Sequence, residues 1–416
     1  MPDRRMARSD PGRALLLENI HPAAADALTE AGHEVEQVDH VIDEQELRER
    51  LHGVQVLGIR SGIVLRSTVF EEAAALRAVG AFCIGTNQID LTGATEHGIA
   101  VFNAPFSNTR SVVELAIAEI ISLTRRMTVH NASMHAGVWA KSAKGSHELR
   151  GRALGIIGYG NIGSQLSVLA EAMGMRVFFY DTADKLALGN AQRCSSIEEL
   201  LSTADVVTLH VDGRPGNSGL FGEDLFRRMR PGSSFLNLSR GFVVDQTALR
   251  EHIVSGHIAG AAIDVFPDEP AGAGDPFESK LRGLNNVILT PHIAGSTEEA
   301  QQDIGRFVAG KLIAYLAAGT TDLSVNLPPV NMPPQPGSSR LLVLHRNQPG
   351  VLARIDGLLA EHGLNIEQQM LSTTGGVGLA VTDVPGSVPP VVMQALWQMP
   401  ETIRAEGLPP QPRTCP

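Results

Sequence analysis

The chain has 416 residues, 43% hydrophobic and 19% charged, which suits roughly two or three packed domains. Its formal net charge of −11 speaks against non-specific nucleic-acid binding and leaves any anion site to a few placed cations. Cys83, Cys194 and Cys415 stand far apart without a CxxC pair, no run of about 18 apolar residues occurs, and Arg4, Arg5, Arg8 and Arg13 precede no apolar signal core. The expectation is a cytoplasmic enzyme with reduced thiols, no metal and no membrane span.

Arg13-Ala-Leu-Leu-Leu-Glu18 begins the first strand. Val54-Gln-Val-Leu-Gly-Ile59 and Val79-Gly-Ala-Phe-Cys-Ile84 follow as short apolar strands between helix-like stretches, the pattern of an open parallel α/β domain. Ser111-Val-Val-Glu114 reads as a capping box opening a helix from 111 to about 130, and Ser296-Thr-Glu-Glu299 opens another to about 316. If the chain leaves the first domain along one helix and returns along the other, residues after about 300 complete that domain. The active site is then expected in the cleft between two domains.

Leu154-Gly-Ile-Ile-Gly-Tyr-Gly-Asn-Ile-Gly163 is an apolar strand running into three glycines. Gly158 allows the tight turn, Gly160 lets a pyrophosphate approach the backbone, and Gly163 lets the following helix pack closely with its N-terminus toward the phosphates. Ile162, Leu166, Leu169, Ala170 and Met173 recur at helical spacing and give that helix one apolar stripe. Arg176-Val-Phe-Phe-Tyr-Asp181 then ends in a carboxylate that can bond an adenosine ribose and would repel a 2′-phosphate. The expected cofactor is NAD.

Three segments downstream each follow an apolar strand: Asn237-Leu-Ser-Arg-Gly241, Asp264-Val-Phe-Pro-Asp-Glu-Pro270 and Leu289-Thr-Pro-His-Ile-Ala-Gly295. Strand C-terminal ends surround the ligand crevice of an open parallel sheet, so Arg240, Glu269 and His292 could converge. Taken singly, each could serve a plain structural role. Together they suit hydride transfer from a 2-hydroxy acid: His292 as base, Glu269 fixing its tautomer, and Arg240 binding a carboxylate and polarising the reacting oxygen.

Pro328, Pro329, Pro333, Pro334 and Pro336 with Gly337 read as a linker with no packed element. A separate module follows: strand 340–345, helix 351–362, strand 364–372, a Gly375-Gly376 turn, strand 377–384, helix 391–399 and strand 402–405, a βαββαβ ferredoxin-like pattern. The tail after Gly407 is Pro-rich and reads as disordered.

These motifs make the chain similar to the D-isomer-specific 2-hydroxyacid dehydrogenases, in particular the bacterial type with a C-terminal ACT domain. Gly85-Thr-Asn-Gln-Ile-Asp90, Phe102-Asn-Ala-Pro-Phe-Ser-Asn-Thr-Arg-Ser111, Ala259-Gly-Ala-Ala-Ile-Asp-Val-Phe266 and the stretches 154–163 and 289–297 carry the resemblance. It implies a flavodoxin-like substrate domain (13–107 and 299–327), a Rossmann NAD domain (108–298), a linker (328–339) and an ACT domain (340–416). Catalysis falls on Arg240, Glu269 and His292. Cofactor contacts fall on Gly158, Gly160, Asn161, Ile162, Gly163, Asp181, Leu238, Ser239, Arg240, Asp264, His292 and Gly295.

For an anionic, phosphorylated substrate such as 3-phosphoglycerate, the resemblance implies Arg60, Ser61, Asn108 and Lys141, with Trp139 reaching a neighbouring subunit. Arginine supplies a bidentate fork and the short side chains neutral donors. The ACT signature His345-Arg-Asn-Gln-Pro-Gly-Val-Leu352 places L-serine on His345, Asn347 and Asn365. A homotetramer paired through NAD and ACT domains is implied, with 2-oxoglutarate reduction as a side activity. A glycerate, glyoxylate or lactate dehydrogenase, and a non-catalytic NAD-dependent corepressor of the same fold, stay open. Asp212 stands where the family usually has proline, and Pro336-Gly-Ser-Ser339 where related chains have a paired-glycine hinge.

Overall fold

A computed structural model describes residues 12–270 and 274–410. Arg4, Arg5, Arg8, Cys415 and the tail beyond 410 lie outside the described residues. Two compact units result, one from residues up to 105 and from 301 onward, the other from 106 to 300. Among the described residues no helix is long and apolar enough to cross a membrane, and no group of three His, Cys, Asp or Glu could hold a metal ion.

In the first unit β1 (Arg13–Leu16), α1 (Pro22–Glu30), β2 (Glu34–Gln37), α2 (Glu44–Arg50), β3 (Val54–Ile59), α3 (Ser67–Glu72), β4 (Ala78–Ala81), α4 (Leu91–Glu96) and β5 (Ala100–Asn103) alternate. The strands form a parallel sheet in the flavodoxin-like order β2-β1-β3-β4-β5. Leu15, Leu57, Val79 and Val101 pack on one face, and Leu16, Val56, Ala78 and Ala100 on the other. Burial on both faces explains why these strands read as nearly continuous apolar runs. The third expected strand is shorter than its apolar run, because the chain bends away after Ala81.

The second unit contains α5 (Thr109–Thr124), α6 (Met127–His135), β6 (Ala153–Ile157), α7 (Asn161–Ala172), β7 (Arg176–Tyr180), β8 (Gln192–Arg193), α8 (Ile197–Thr203), β9 (Val206–Leu209), α9 (Glu223–Arg228), β10 (Ser233–Asn237), α10 (Gln246–Val254), β11 (Ile258–Ile263) and β12 (Val287–Leu289). Its parallel sheet runs β12-β11-β10-β9-β6-β7-β8. The strand order reverses at β6, where the glycine loop begins, and such switch points are where ligands bind. On α7, Leu166 and Ala170 are buried, whereas Met173 caps the helix 40% exposed and lies off the expected stripe.

Three helix boundaries differ from the expectation. α5 begins at Thr109, ahead of Ser111, whose hydroxyl instead lies 2.9 Å from Thr297 Oγ1. It ends where Arg126 turns left-handed (φ 53°), and α6 has no buried residue. The apolar stripe stops at Leu123, so nothing carries one straight helix to 130. α11 (Glu298–Ala318) is capped by Thr297, whose Oγ1 accepts from Ala300 N at 3.2 Å, one residue later than the expected Ser296 cap.

The C-terminal module is β13 (Ser338–Arg346), α12 (Val351–Glu361), β14 (Gln368–Thr374), β15 (Val377–Pro385), α13 (Pro390–Gln398) and β16 (Thr402–Leu408), an antiparallel sheet in the order β14-β15-β13-β16. Leu341 and Val343 face α12 and α13, while Leu342 and Leu344 turn the other way. That second face is not solvated. Leu342, Leu344, Leu379, Val381 and Leu408 share one core with Ala78, Ala100, Leu312 and Tyr315.

The Pro-rich stretch forms no regular element, yet it is not the unpacked linker expected from its composition. Leu327, Val330 and Met332 are buried in the same core, and Thr321 Oγ1 donates to Pro328 O (2.6 Å) and accepts from Val330 N (2.9 Å). Proline removes amide donors that a buried extended segment would otherwise have to satisfy, so single apolar residues between prolines can enter a core. Arg340 ties the stretch down, donating to Met332 O at 2.6 Å, to Pro333 O at 3.0 Å, and to both Asp383 oxygens at 2.6 and 2.8 Å.

Candidate active site

The second unit builds a dinucleotide cradle at the end of β6. Gly158 has φ 94°, and a Cβ there would meet His210 O at 2.5 Å. A Cβ on Gly163 would meet Gly158 O at 2.2 Å, whereas one on Gly160 would meet nothing within 4 Å. The two tight glycines shape the loop, and the open one leaves room for a pyrophosphate at the N-terminus of α7. Asp181, after β7, accepts from Tyr159 N at 2.8 Å and Ala183 N at 2.8 Å, which ties it to the glycine loop. These features fit NAD, whose bound nicotinamide supplies the hydride acceptor.

Arg240 follows β10, Glu269 follows β11 and His292 follows β12, three neighbouring strands. His292 Nδ1 lies 2.8 Å from Glu269 Oε2, and Glu269 Oε1 accepts from Phe266 N at 3.0 Å. Arg240 Nη1 donates to Ser239 O at 2.7 Å, and its charge acts on both other members. Burial alone would raise the Glu269 carboxyl, but the His292 hydrogen bond, the Phe266 amide and the positive charge of His292 and Arg240 bring it below its usual value. The Glu269 hydrogen bond chiefly raises His292, helped by the charges of Glu269 and Asp264 and opposed by burial and Arg240.

His292 stands at φ 53°, in the left-handed region, immediately after Pro291. Its own amide donates to Asp264 O at 2.8 Å. The fully buried Asp264 carboxylate accepts from Thr290 Oγ1 (2.6 Å), Ile293 N (2.9 Å) and Ala294 N (2.9 Å). Asp264 thus holds the loop that carries His292 in a conformation it would not adopt alone.

Other residues singled out in the sequence fall as follows. Leu238 and Ser239 are buried after β10, and Ser239 donates twice to Asn237 Oδ1. Asn161 is exposed and Ile162 half-buried at the start of α7. A Cβ on Gly295 would strike Asn108 Nδ2 at 2.1 Å, and Asn108 Oδ1 is buried without a partner among the described residues. Lys141 and Trp139 are exposed in this second unit, whereas Arg60 and Ser61 follow β3 in the first. In the C-terminal module Asn347 and Asn365 are exposed, but His345 is 2% exposed, with Nδ1 near Arg346 O and Nε2 unpartnered among the described residues.

Sequence reading missed Thr290, the donor to Asp264, and Glu119 on α5. Glu119 is buried with neither oxygen bonded among the described residues, and burial together with Asp264 pushes its carboxyl up to about 8, so it stands neutral near the site. An acid falling in the apolar stripe of Val112, Ala116 and Leu123 was the available signal.

Residues 117–294 match the family model of the D-isomer specific 2-hydroxyacid dehydrogenase NAD binding domain, and 341–404 match that of the AHAS small subunit-like ACT domain. A solved protein from Thermus thermophilus is 31% identical with TM-score 0.66, covering 73% of this chain and 96% of its own. A D-lactate dehydrogenase from Aquifex aeolicus, solved with NAD and lactic acid, is 25% identical with TM-score 0.63 over 73% of this chain and 95% of its own. The chain belongs to the D-isomer-specific 2-hydroxyacid dehydrogenase family, and it is an NAD-dependent dehydrogenase. Relatives spanning nearly its whole length are D-3-phosphoglycerate dehydrogenases: that of Haemophilus influenzae is 48% identical over 95% of this chain and 96% of its own, and that of Escherichia coli K12 is 48% identical over 95% and 97%.

Proposed function

We propose that this chain oxidises D-3-phosphoglycerate to 3-phosphohydroxypyruvate with NAD, the first step of L-serine biosynthesis, under feedback inhibition by L-serine. The observation that carries the chemistry is the His292–Glu269 pair at 2.8 Å beside Arg240. The whole-length likeness to D-3-phosphoglycerate dehydrogenases carries the substrate. In oxidation, neutral His292 takes the hydroxyl proton through Nε2 as hydride leaves the same carbon, and Glu269 holds Nδ1–H and stabilises the imidazolium. Arg240 holds the substrate carboxylate and polarises the reacting oxygen. In reduction the imidazolium returns the proton.

Arg60, Ser61, Asn108 and Lys141 are assigned to the anionic substrate on their donor chemistry. A second carboxylate has the same needs as a phosphate, which supports reduction of 2-oxoglutarate as a side activity. Serine is assigned to His345, Asn347 and Asn365, supported by the ACT match. A homotetramer in the cytoplasm completes the reading. Trp139, 78% exposed beside Val138, supports one interface, and the open edge of β14, with Met370 and Leu371 exposed, supports another.

The test is the initial rate of NADH oxidation with 3-phosphohydroxypyruvate, with and without L-serine. Fast turnover suppressed by serine supports both assignments. Turnover without suppression, and no heat on titrating millimolar serine, would remove the regulatory one; no turnover would remove the substrate.

A further inference from the structure

The turn after β3 that bears Arg60 and Ser61 is held from two sides by residues with no assigned role. From one side comes Glu18, just beyond β1. Its carboxylate accepts from Arg60 N at 2.6 Å through Oε2 and from Gly62 N at 2.6 Å through Oε1. Glu18 is 9% exposed and stands at φ 62°, followed by Asn19 at φ 53°. Consecutive left-handed residues other than glycine are strained backbone. They persist here because Leu17 N and Asn19 N are fixed to Gly58 O and Val38 O on either side. Gly62 fits this arrangement for lack of space rather than for its φ, since a Cβ there would lie 2.7 Å from Glu18 Oε1.

From the other side comes Gln88, in the Gly85-Thr-Asn-Gln-Ile-Asp90 motif. Its Nε2 donates to Arg60 O at 2.7 Å and lies 3.4 Å from Gly85 O. Arg60 C=O and Ser61 N–H belong to one planar trans peptide and point in opposite directions. With the carbonyl turned to Gln88, the Ser61 amide hydrogen is turned away from it. That amide has no partner among the described residues, and Ser61 is exposed. The Arg60 guanidinium likewise makes no ion pair among the described residues.

We infer that Glu18 and Gln88 are positioning residues for phosphate recognition: by taking two amides and one carbonyl of the turn, they leave the Ser61 N–H, the Ser61 hydroxyl and the Arg60 fork aimed outward as the receptor for a phosphomonoester. The inference rests on the assignment of Arg60 and Ser61 to the substrate phosphate. It adds a main-chain donor to that site and accounts for an acid beside an anion site. The carboxylate is consumed by two charge-assisted hydrogen bonds to backbone, so it orients the turn while its own charge is partly answered there.

The experiment compares kcat and KM for 3-phosphohydroxypyruvate and for hydroxypyruvate, the same 2-oxo acid without its phosphate, in the full-length enzyme and in Arg60→Ala, Glu18→Gln, Glu18→Ala and Gln88→Ala. Glu18→Ala and Gln88→Ala are expected to raise KM for the phosphorylated substrate by roughly 10-fold or more, the scale of losing an oriented charged contact. The effect on kcat and on hydroxypyruvate should be much smaller, and Glu18→Gln, which keeps one acceptor, should fall between. If Arg60→Ala preserves the preference for the phosphorylated substrate, the phosphate assignment itself is wrong. If Arg60→Ala abolishes that preference while the Glu18 and Gln88 variants keep it, or lose both activities in parallel, the positioning role is overturned. Should Glu18→Ala fail to fold, Gln88→Ala and Glu18→Gln still decide the matter.

Discussion

In the proposed mechanism His292 serves opposite tasks in the two directions, base when neutral and acid when protonated, so its raised pKa would decide where each direction runs. Below that pKa the imidazolium dominates and reduction is favoured; above it oxidation gains its base. Glu269→Gln removes the charge that raises it. The acid limb of kcat/KM for oxidation is then expected to move to lower pH, with kcat down on the order of 10²-fold. A pH–rate profile with an unmoved limb would show that Glu269 does not set the titration of His292. Asp181 makes a second residue-scale prediction. In Asp181→Ala the dissociation constant for NADH should rise by about tenfold and discrimination against NADPH should shrink, both read by fluorescence titration.

The convergence of Arg240, Glu269 and His292 was legible because each directly follows an apolar strand, so topology alone brought three chain segments to one sheet end. The contacts of Glu18, Gln88, Thr290 and Glu119 were not legible. Their roles arise from hydrogen bonds or burial set by distant parts of the chain, and nothing local marks an acid that will accept two amides 42 and 44 residues away.

Caps and breaks separate what a local pattern can specify from what the fold decides. The glycine loop, the alternation of strands and helices around it and the βαββαβ module follow from periodicity and turn residues that tertiary structure had no reason to override. Helix starts did not. Two adjacent hydroxyls, Ser296 and Thr297, both fit a capping pattern, and the bond from Thr297 to Ala300 N selects the second. Thr297→Ala should therefore cost about 1 kcal/mol in urea unfolding, whereas Ser296→Ala should stay within about 0.5 kcal/mol. Equal effects would mean that α11 begins elsewhere. The end of α5 was hidden because Arg125 and Arg126 carry no breaker signal; the helix stops where its buried stripe stops.

Across the first unit, Glu406 of β16 receives Arg77 through Nε at 3.0 Å and Nη2 at 2.5 Å, and Arg404 Nε at 2.5 Å. Arg404 also donates to Leu76 O at 2.6 Å. Burial pushes the Glu406 carboxyl up, but the two guanidinium groups hold it below the usual range. Removing one partner of such a buried group is expected to cost about 3–5 kcal/mol, so Glu406→Gln should lower the urea midpoint markedly. The sign in pH follows from the lowered folded value. The contribution is fully present above the unfolded carboxyl pKa of about 4.3 and is lost as pH falls through the folded one, so acid should weaken the parent more than Glu406→Gln. Parallel acid unfolding curves for the two would show that Glu406 is not ionised in the folded chain.

The core shared by β13, β15 and β16 with β4, β5 and α11 has a consequence for how the chain can be cut. A protein ending near residue 337 would keep Arg240, Glu269 and His292 but bare Ala78, Ala100, Leu312 and Met332, and would leave Arg77 without its carboxylate. Such a fragment should be recovered mainly as aggregate, while limited proteolysis of the intact protein should spare the 327–337 stretch that composition alone would mark as the easiest place to nick.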